Sequence, residues 1–401
     1  MPLSLADIRA AAGRIAGRVV RTPSIESPAV SRECGATVLL KLDNLQATGA
    51  FKERGAANRL SLLSAREREG GVIAMSAGNH AQAVARHATL AGIAATIVMP
   101  RFTPANKVLR TEGFGARVVL HGETLAEAAA HAHALALSQG LTFIHPYDDL
   151  GVIAGQGTMA LEMLEDALDL DAMVFPTGGG GLVSGCAVAA AALRPGMPVY
   201  GVEVEGYQAM AQRLSGRPVQ VGGPTIAEGI AVRDVGEVPV ALLRELGVEI
   251  LVVPERAVEH AIALLAEGAK VVSEGAGAAG VAALLAHPRR FAGLRVGTPV
   301  CGGNIDPRIL SNVLLRNLLR DGRLLRLHLD IPDRPGVLAD IATRVAQAGG
   351  NVIEVSHQRL FAAPSVQTAE LELMVEVRDR IQADAIVAAL EAGDYVVRRG
   401  S

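Results

Sequence analysis

The octapeptide GAFKERGA, residues 49–56, sets one lysine between a phenylalanine and a Glu-Arg pair. A lysine in water is a protonated, strongly hydrated point charge. It serves as nucleophile or base only where burial lowers its pKa. The octapeptide alone leaves Lys52 open between a solvated surface charge and a reactive amine. A second stretch, TGGGGL at residues 177–182, suits a different chemistry. Gly178, Gly179, Gly180 and Gly181 stand there between an apolar run and a small-residue run that reads as helix. Backbone N–H groups at a helix start, with the partial positive charge found there, suit a phosphate or another anion. A plain glycine turn is the alternative, but it does not require so large a loss of backbone entropy. The pattern G-x-x-x-x-G-K-[ST] is absent, so no nucleoside-triphosphate loop is expected.

Two more stretches sit at similar places. In SAGNHAQA, residues 76–83, Asn79 reads first as a helix N-cap. The alternative is a carboxylate site, with Ser76 and backbone N–H groups holding an anion and Asn79 facing the reacting centre. His80 reads as structural. In VCGGN, residues 300–304, the Cys301 thiol reads as a small core hydrophobe or as a weak, neutral partner for a ring nitrogen. Other chemistries are not supported. There is no H-E-x-x-H and no G-x-S-x-G. His131 and His133 lie on an alanine-rich helix with their imidazoles on different faces. Glu203 and Glu205 share one side of a strand, as a cation site or, preferred, as a solvated strand end. Cys34 has no reactive context.

The elements that must position these groups follow from the apolar pattern. Short apolar runs within GGVIAMS, IAATIVMP, GARVVLHG, DAMVFPT, VYGVEVEG, VEILVVPE and VGTPV alternate with helical sequence. That alternation predicts an α/β fold with parallel sheets covered on both faces. Half the chain is apolar, yet aromatic residues are 3% and tryptophan is absent, so the core is expected to be built from small aliphatic side chains. After residue 323 the pattern changes to β-α-β-β-α-β with alternating strands, a ferredoxin-like unit with one exposed sheet face. RNLLRDGRL, residues 316–324, is the expected hinge. The net charge of −3 and the lack of a basic stripe argue against nucleic acid as a partner. Three sparse cysteines point to a reducing, cytosolic compartment, and no signal peptide or membrane span is expected.

Taken together, KLDNLQATGAFKERGA, SAGNHAQAVA, PTGGGGLVSG, TIAEGIAV, SEGAGAAGVAALL and CGGN stand in the order seen in the serine/threonine dehydratases. These are pyridoxal-phosphate (PLP) enzymes of fold type II, the tryptophan-synthase β-like fold. The resemblance covers nearly all of residues 5–320. The C-terminal region, with DIPDRPGVLADIA, resembles an ACT domain. It implies one catalytic domain from 1–70 with 149–320, a smaller one at 71–148 and an ACT domain at 325–400. It implies that Lys52 forms the Schiff base with PLP, that Phe51 walls the ring and that Asn79 contacts the phenolic oxygen. It also implies that Gly178 to Gly181, with Leu182, hold the phosphate, that Cys301 faces the pyridine nitrogen and that Ser76, Ala77, Gly78, Asn79 and His80 receive the substrate carboxylate.

The chain departs from many relatives in having Cys301 and Ala50 where serine is common. In relatives that racemise serine, a second serine usually stands where this chain has Ala77. Of the residues that bind a metal in some relatives, only Glu203 matches well, so no tightly bound metal is expected. The resemblance implies an L-threonine ammonia-lyase that also takes L-serine, with an amino-acid effector at the ACT domain near 333–337 and a homodimer or homotetramer. A 3-hydroxyaspartate dehydratase, a serine racemase and a non-catalytic amino-acid sensor are the alternatives.

Overall fold

The computed structural model describes residues 1–358 and 368–400. It divides into two compact units, Met1–Ile305 and Asp306–Ser401. The first unit contains two sheets. The larger runs in the order Ser24–Glu26, Thr37–Lys41, Arg295–Pro299, Ala172–Pro176, Val199–Val204, Glu249–Val253. Only its first pair is antiparallel. The smaller runs Arg117–Leu120, Ala95–Met99, Val72–Met75, Thr142–Phe143, all parallel. Each expected apolar run marks a strand. Strands Ser24–Glu26, Thr37–Lys41 and Thr142–Phe143 were not among them, because the first and last are too short for a periodic signal.

Each strand of the smaller sheet is short, and Ala95–Met99 and Val72–Met75 are nearly buried throughout. That is the pattern of parallel strands with helices on both faces. Helix starts are marked by side-chain caps. Thr124 accepts from Glu127 N–H, and Asp149 accepts from Val152 N–H at the head of helix Leu150–Asp166. The core is closed through glycine. Helices Leu150–Asp166 and Gly181–Leu193 touch where a Cβ on Gly185 would lie 2.3 Å from Ile153 O. Helix Gly275–Ala286 approaches its sheet where a Cβ on Gly280 would lie 1.9 Å from Thr298 Oγ1. A chain poor in aromatics fills its interior by bringing backbones together.

The second unit has one antiparallel sheet, in the order Asn351–Gln358, Thr368–Glu376, Leu324–Pro332, Val396–Arg399. Helices Val337–Gln347 and Arg380–Glu391 bury Ile341, Val345 and Ile386 against Leu327, Leu329, Leu371 and Leu373. The sheet alternates buried and half-exposed positions along Thr368–Glu376, as a sheet with one covered face must. The boundary differs from the expected hinge at 316–324. Residues 316–320 complete helix Pro307–Arg320, which starts at the cap Asp306 and belongs to the second unit. Arg380 donates to the carbonyl of Arg320 and Val377 N–H to that of Arg323, tying the helix end to this sheet.

Candidate active site

Lys52 is the first residue of helix Lys52–Ser61. Its Nζ donates to the carbonyl of Pro146 at 2.8 Å and stands 5.3 Å from the centre of the Phe51 ring. Loss of water around the amine pushes its pKa down to about 8. The two residues that follow it are buried ions. Glu53 accepts from Thr48 N–H at 2.5 Å and pairs with Arg86 and His87, each at 3.0 Å. Burial alone would raise its carboxyl; His87, Thr48 and Arg86 hold it below the usual range. Arg54, fully buried, grips Asp43 at 2.7 and 2.9 Å and Glu162 at 2.6 and 2.9 Å. Lys41 adds a second buried cation on Glu162 at 2.7 Å. The helix that carries Lys52 is thereby clamped on two sides. Sequence reasoning missed both charged neighbours. The available signal was their place before Gly55-Ala56-Ala57, a run with no room for an exposed charged face.

The loop 301–304 runs beside the lysine. Phe51 N–H donates to the Cys301 carbonyl at 2.9 Å, and Ala50 bridges to Gly302. Cys301 is buried, and burial holds its thiol protonated by pushing its pKa well up. The group at this position is therefore a neutral thiol.

The glycine run ends strand Ala172–Pro176 and starts helix Gly181–Leu193. Gly180 takes φ +95°, which an L side chain rarely adopts, and no side chain caps the helix. The first N–H groups of the helix are left without a capping partner. A Cβ on Gly179 would stand 2.2 Å from the Tyr147 ring, and one on Gly181 would stand 2.9 Å from Tyr147 O. Leu182 sends its side chain into the core, so only its backbone is available at the turn. Tyr147, not anticipated from sequence, packs on the turn and donates to Asp234 O at 2.5 Å.

The turn 76–80 lies between strand Val72–Met75 and helix Asn79–Leu90. Ser76 Oγ accepts from Gly78 N–H at 3.1 Å. Asn79 is not the N-cap preferred from sequence. Gly78 holds that position, and the Asn79 side chain instead joins distant loops: it donates to Glu274 at 2.6 Å and accepts from Asn304 at 2.8 Å. Tertiary partners outcompete the local cap. His80 is buried with Nε2 2.9 Å from Ile144 O, so Nε2 carries the proton. Burial and the nearby Lys52 push its pKa down to about 3. Its ring is neutral and fixed to the backbone, as the structural reading expected. The Glu203 side chain is not at a solvated strand end. It is buried and accepts from Met210 and Ala211 N–H at 2.7 and 3.0 Å, at the start of helix Ala209–Leu214. Burial pushes it up to about 7. Among the described residues no group of three or more His, Cys, Asp or Glu is placed to hold a metal ion.

Residues 15–302 match the family described as pyridoxal-phosphate-dependent enzymes. The chain belongs to that family. Residues 323–398 of this PLP-dependent enzyme match the ACT domain. It is 41% identical over 398 residues, 99% of each chain, to an L-threonine ammonia-lyase of Thermotoga maritima. A solved structure of the processed form of threonine deaminase isoform 2 from Solanum lycopersicum is similar with a TM-score of 0.72 and 34% identity, covering 77% of this chain and 86% of that one. That of maize serine racemase is similar with a TM-score of 0.73 and 33% identity, covering 79% and 98%. The residues present fit the cofactor. Uncapped N–H groups and a glycine run that leaves no room for Cβ atoms suit its phosphate, and an amine with a pKa near 8 suits its aldehyde.

Proposed function

We propose that this chain is an L-threonine ammonia-lyase, converting L-threonine to 2-oxobutyrate and ammonia and L-serine to pyruvate and ammonia. The observation that carries the reading is 41% identity across 99% of a protein named for that activity. The partly neutral Lys52 and the uncapped helix start after the glycine run agree with it. When bound, PLP supplies the electron sink.

The chain's own groups divide the remaining work. Lys52, a partly neutral amine, would hold the cofactor and, when free, would serve as the base for the substrate α-proton. The carbonyl of Pro146 is an acceptor for the ammonium so formed. The N–H groups at Gly178 to Gly181 and Leu182 receive the phosphate. Phe51 covers the ring. Backbone N–H groups of the turn at Ser76, Ala77, Gly78, Asn79 and His80 receive the substrate carboxylate. Asn79 and Cys301 would hold the ring oxygen and ring nitrogen. Beside the ring, a neutral thiol would give a weaker electron sink than a carboxylate partner, which would favour quick loss of the β-hydroxyl. Water leaves from the β-carbon, and the released enamine takes water back as it loses ammonia. Ala77 has no proton to give, so the opposite face lacks a donor and elimination prevails over racemisation.

The second unit is proposed to bind an amino-acid effector, and the chain to work as a homodimer or homotetramer. An exposed apolar edge supports the latter: Ile353 stands out at a bulge on the outer strand Asn351–Gln358. A cytoplasmic location is proposed from the three free thiols. No helix of the described residues is long and apolar enough to cross a membrane. A keto-acid assay with threonine, serine and 3-hydroxyaspartate, each with and without isoleucine or valine, tests the reading. Threonine is expected to give the highest kcat/KM, and Lys52→Ala no product. Highest turnover of 3-hydroxyaspartate, or none of any substrate, would overturn it.

A further inference from the structure

The loops around Lys52 hold a line of polar groups of which the reaction above uses only Asn79. The Thr48 carbonyl accepts from Asn304 Nδ2 at 2.7 Å. The same Nδ2 donates to Asn79 Oδ1 at 2.8 Å, and Asn79 Nδ2 donates to Glu274 Oε1 at 2.6 Å. A carbonyl only accepts, and so does an ionised carboxylate. Both ends of the line therefore accept, and the two amides between them have one workable arrangement. Asn304 must turn its nitrogen to Thr48 and Asn79. Asn79 must turn its oxygen to Asn304 and its nitrogen to Glu274. Turning the Asn79 amide over would set nitrogen against nitrogen and oxygen against carboxylate.

We propose that Glu274 is a positioning residue: its carboxylate holds the Asn79 amide in one orientation, so that the second hydrogen on Nδ2 is directed to the bound cofactor. This rests on the reading of Asn79 as a cofactor contact. The surroundings are shaped to the contact. Glu274 stands at the head of helix Gly275–Ala286, and its N–H donates to Gly302 O at 3.0 Å. A Cβ on Gly302 would lie 2.4 Å from Glu274 Oε1 and 3.3 Å from Asn79 Nδ2, so glycine there leaves the carboxylate its place. The charged and titratable groups facing Glu274 are Lys107 of helix Ala105–Gly113, Glu228 of the turn Glu228–Ile230, and the Cys301 thiol. Burial pushes Glu274 up to about 7, against the pull of Asn79 and Lys107. Below that pH the carboxyl gains a proton it can donate, and the constraint on the amide relaxes.

Two measurements test the proposal. The first is a stability cycle on cofactor-free protein. Asn79→Asp sets an acceptor against Glu274 and lowers the thermal midpoint; adding Glu274→Gln supplies a donor and restores part of the loss. The second uses the PLP-loaded protein. Its visible absorption band is expected to titrate near the pKa of Glu274, and E274Q to flatten that titration while lowering kcat about tenfold or more at little change in KM. A band and pH profile in E274Q identical to the parent's would overturn the proposal, as would a double variant no more stable than Asn79→Asp alone. A parent protein that develops no visible band with PLP would instead overturn the functional reading. The stability cycle would still decide whether Glu274 orients Asn79.

Discussion

Lys52 combines a half-buried amine, a single carbonyl acceptor at 2.8 Å and a pKa near 8. Only the neutral amine attacks an aldehyde. The rate at which cofactor-free protein takes up PLP should rise about tenfold per pH unit below pH 8 and level off above it, read from the growth of the visible band. A rate independent of pH from 6 to 9 would contradict the lowered pKa. Ala77 belongs to the same scale. Ala77→Ser places a hydroxyl at the turn proposed to receive the carboxylate, and the D-isomer should then accumulate from L-serine. Chiral chromatography of the remaining substrate reads this, and the unaltered protein should yield little. The lysine was legible because it stood among other motifs. Its ionic neighbours were not, since Glu53 and Arg54 acquire meaning only from Asp43, Arg86, His87 and Glu162, which are distant in the chain.

At the scale of elements, glycine sets how closely helices and turns approach. Gly179 lies under the Tyr147 ring, so Gly179→Ala must displace that ring or shift the turn. PLP affinity should fall while helix content is kept, which cofactor titration and circular dichroism separate. Glu203 offers a pH test. Its folded pKa, about 7, lies above the ordinary carboxylate value of 4.5. The stability it contributes is full below pH 4.5 and is lost as pH rises through 7. The thermal midpoint of Glu203→Gln should therefore depend less on pH across that window than the parent's. Pattern revealed the strand and the turn at each motif, but the direction of the side chains was another matter. Asn79 stands at a helix start where local chemistry favours a cap, and two distant loops claim its amide instead. Glu203 follows strand alternation, yet a neighbouring helix start covers it.

At the scale of the whole molecule, the fully buried Arg54 joins the lysine helix to the partly buried Glu162 of helix Leu150–Asp166 and to the fully buried Asp43. Replacing one partner strands the others without water. Arg54→Met should lower stability by roughly 3–5 kcal/mol, measured by denaturant unfolding, and should weaken PLP binding through the tilt of the helix. The class of fold, the two kinds of sheet, the βαββαβ unit and the glycine-run turn were determined by the sequence alone. Each rests on local periodicity, or on a residue whose backbone freedom has no substitute. The tertiary structure decided which polar groups meet: Lys52 with Pro146, Tyr147 with Gly179, and Asn79 with Glu274 and Asn304. It also decided that the break between units falls before helix Pro307–Arg320. Hydrogen bonds and burial between residues far apart in the chain have no periodic signature, so they become visible only when the sheets and helices have closed around them.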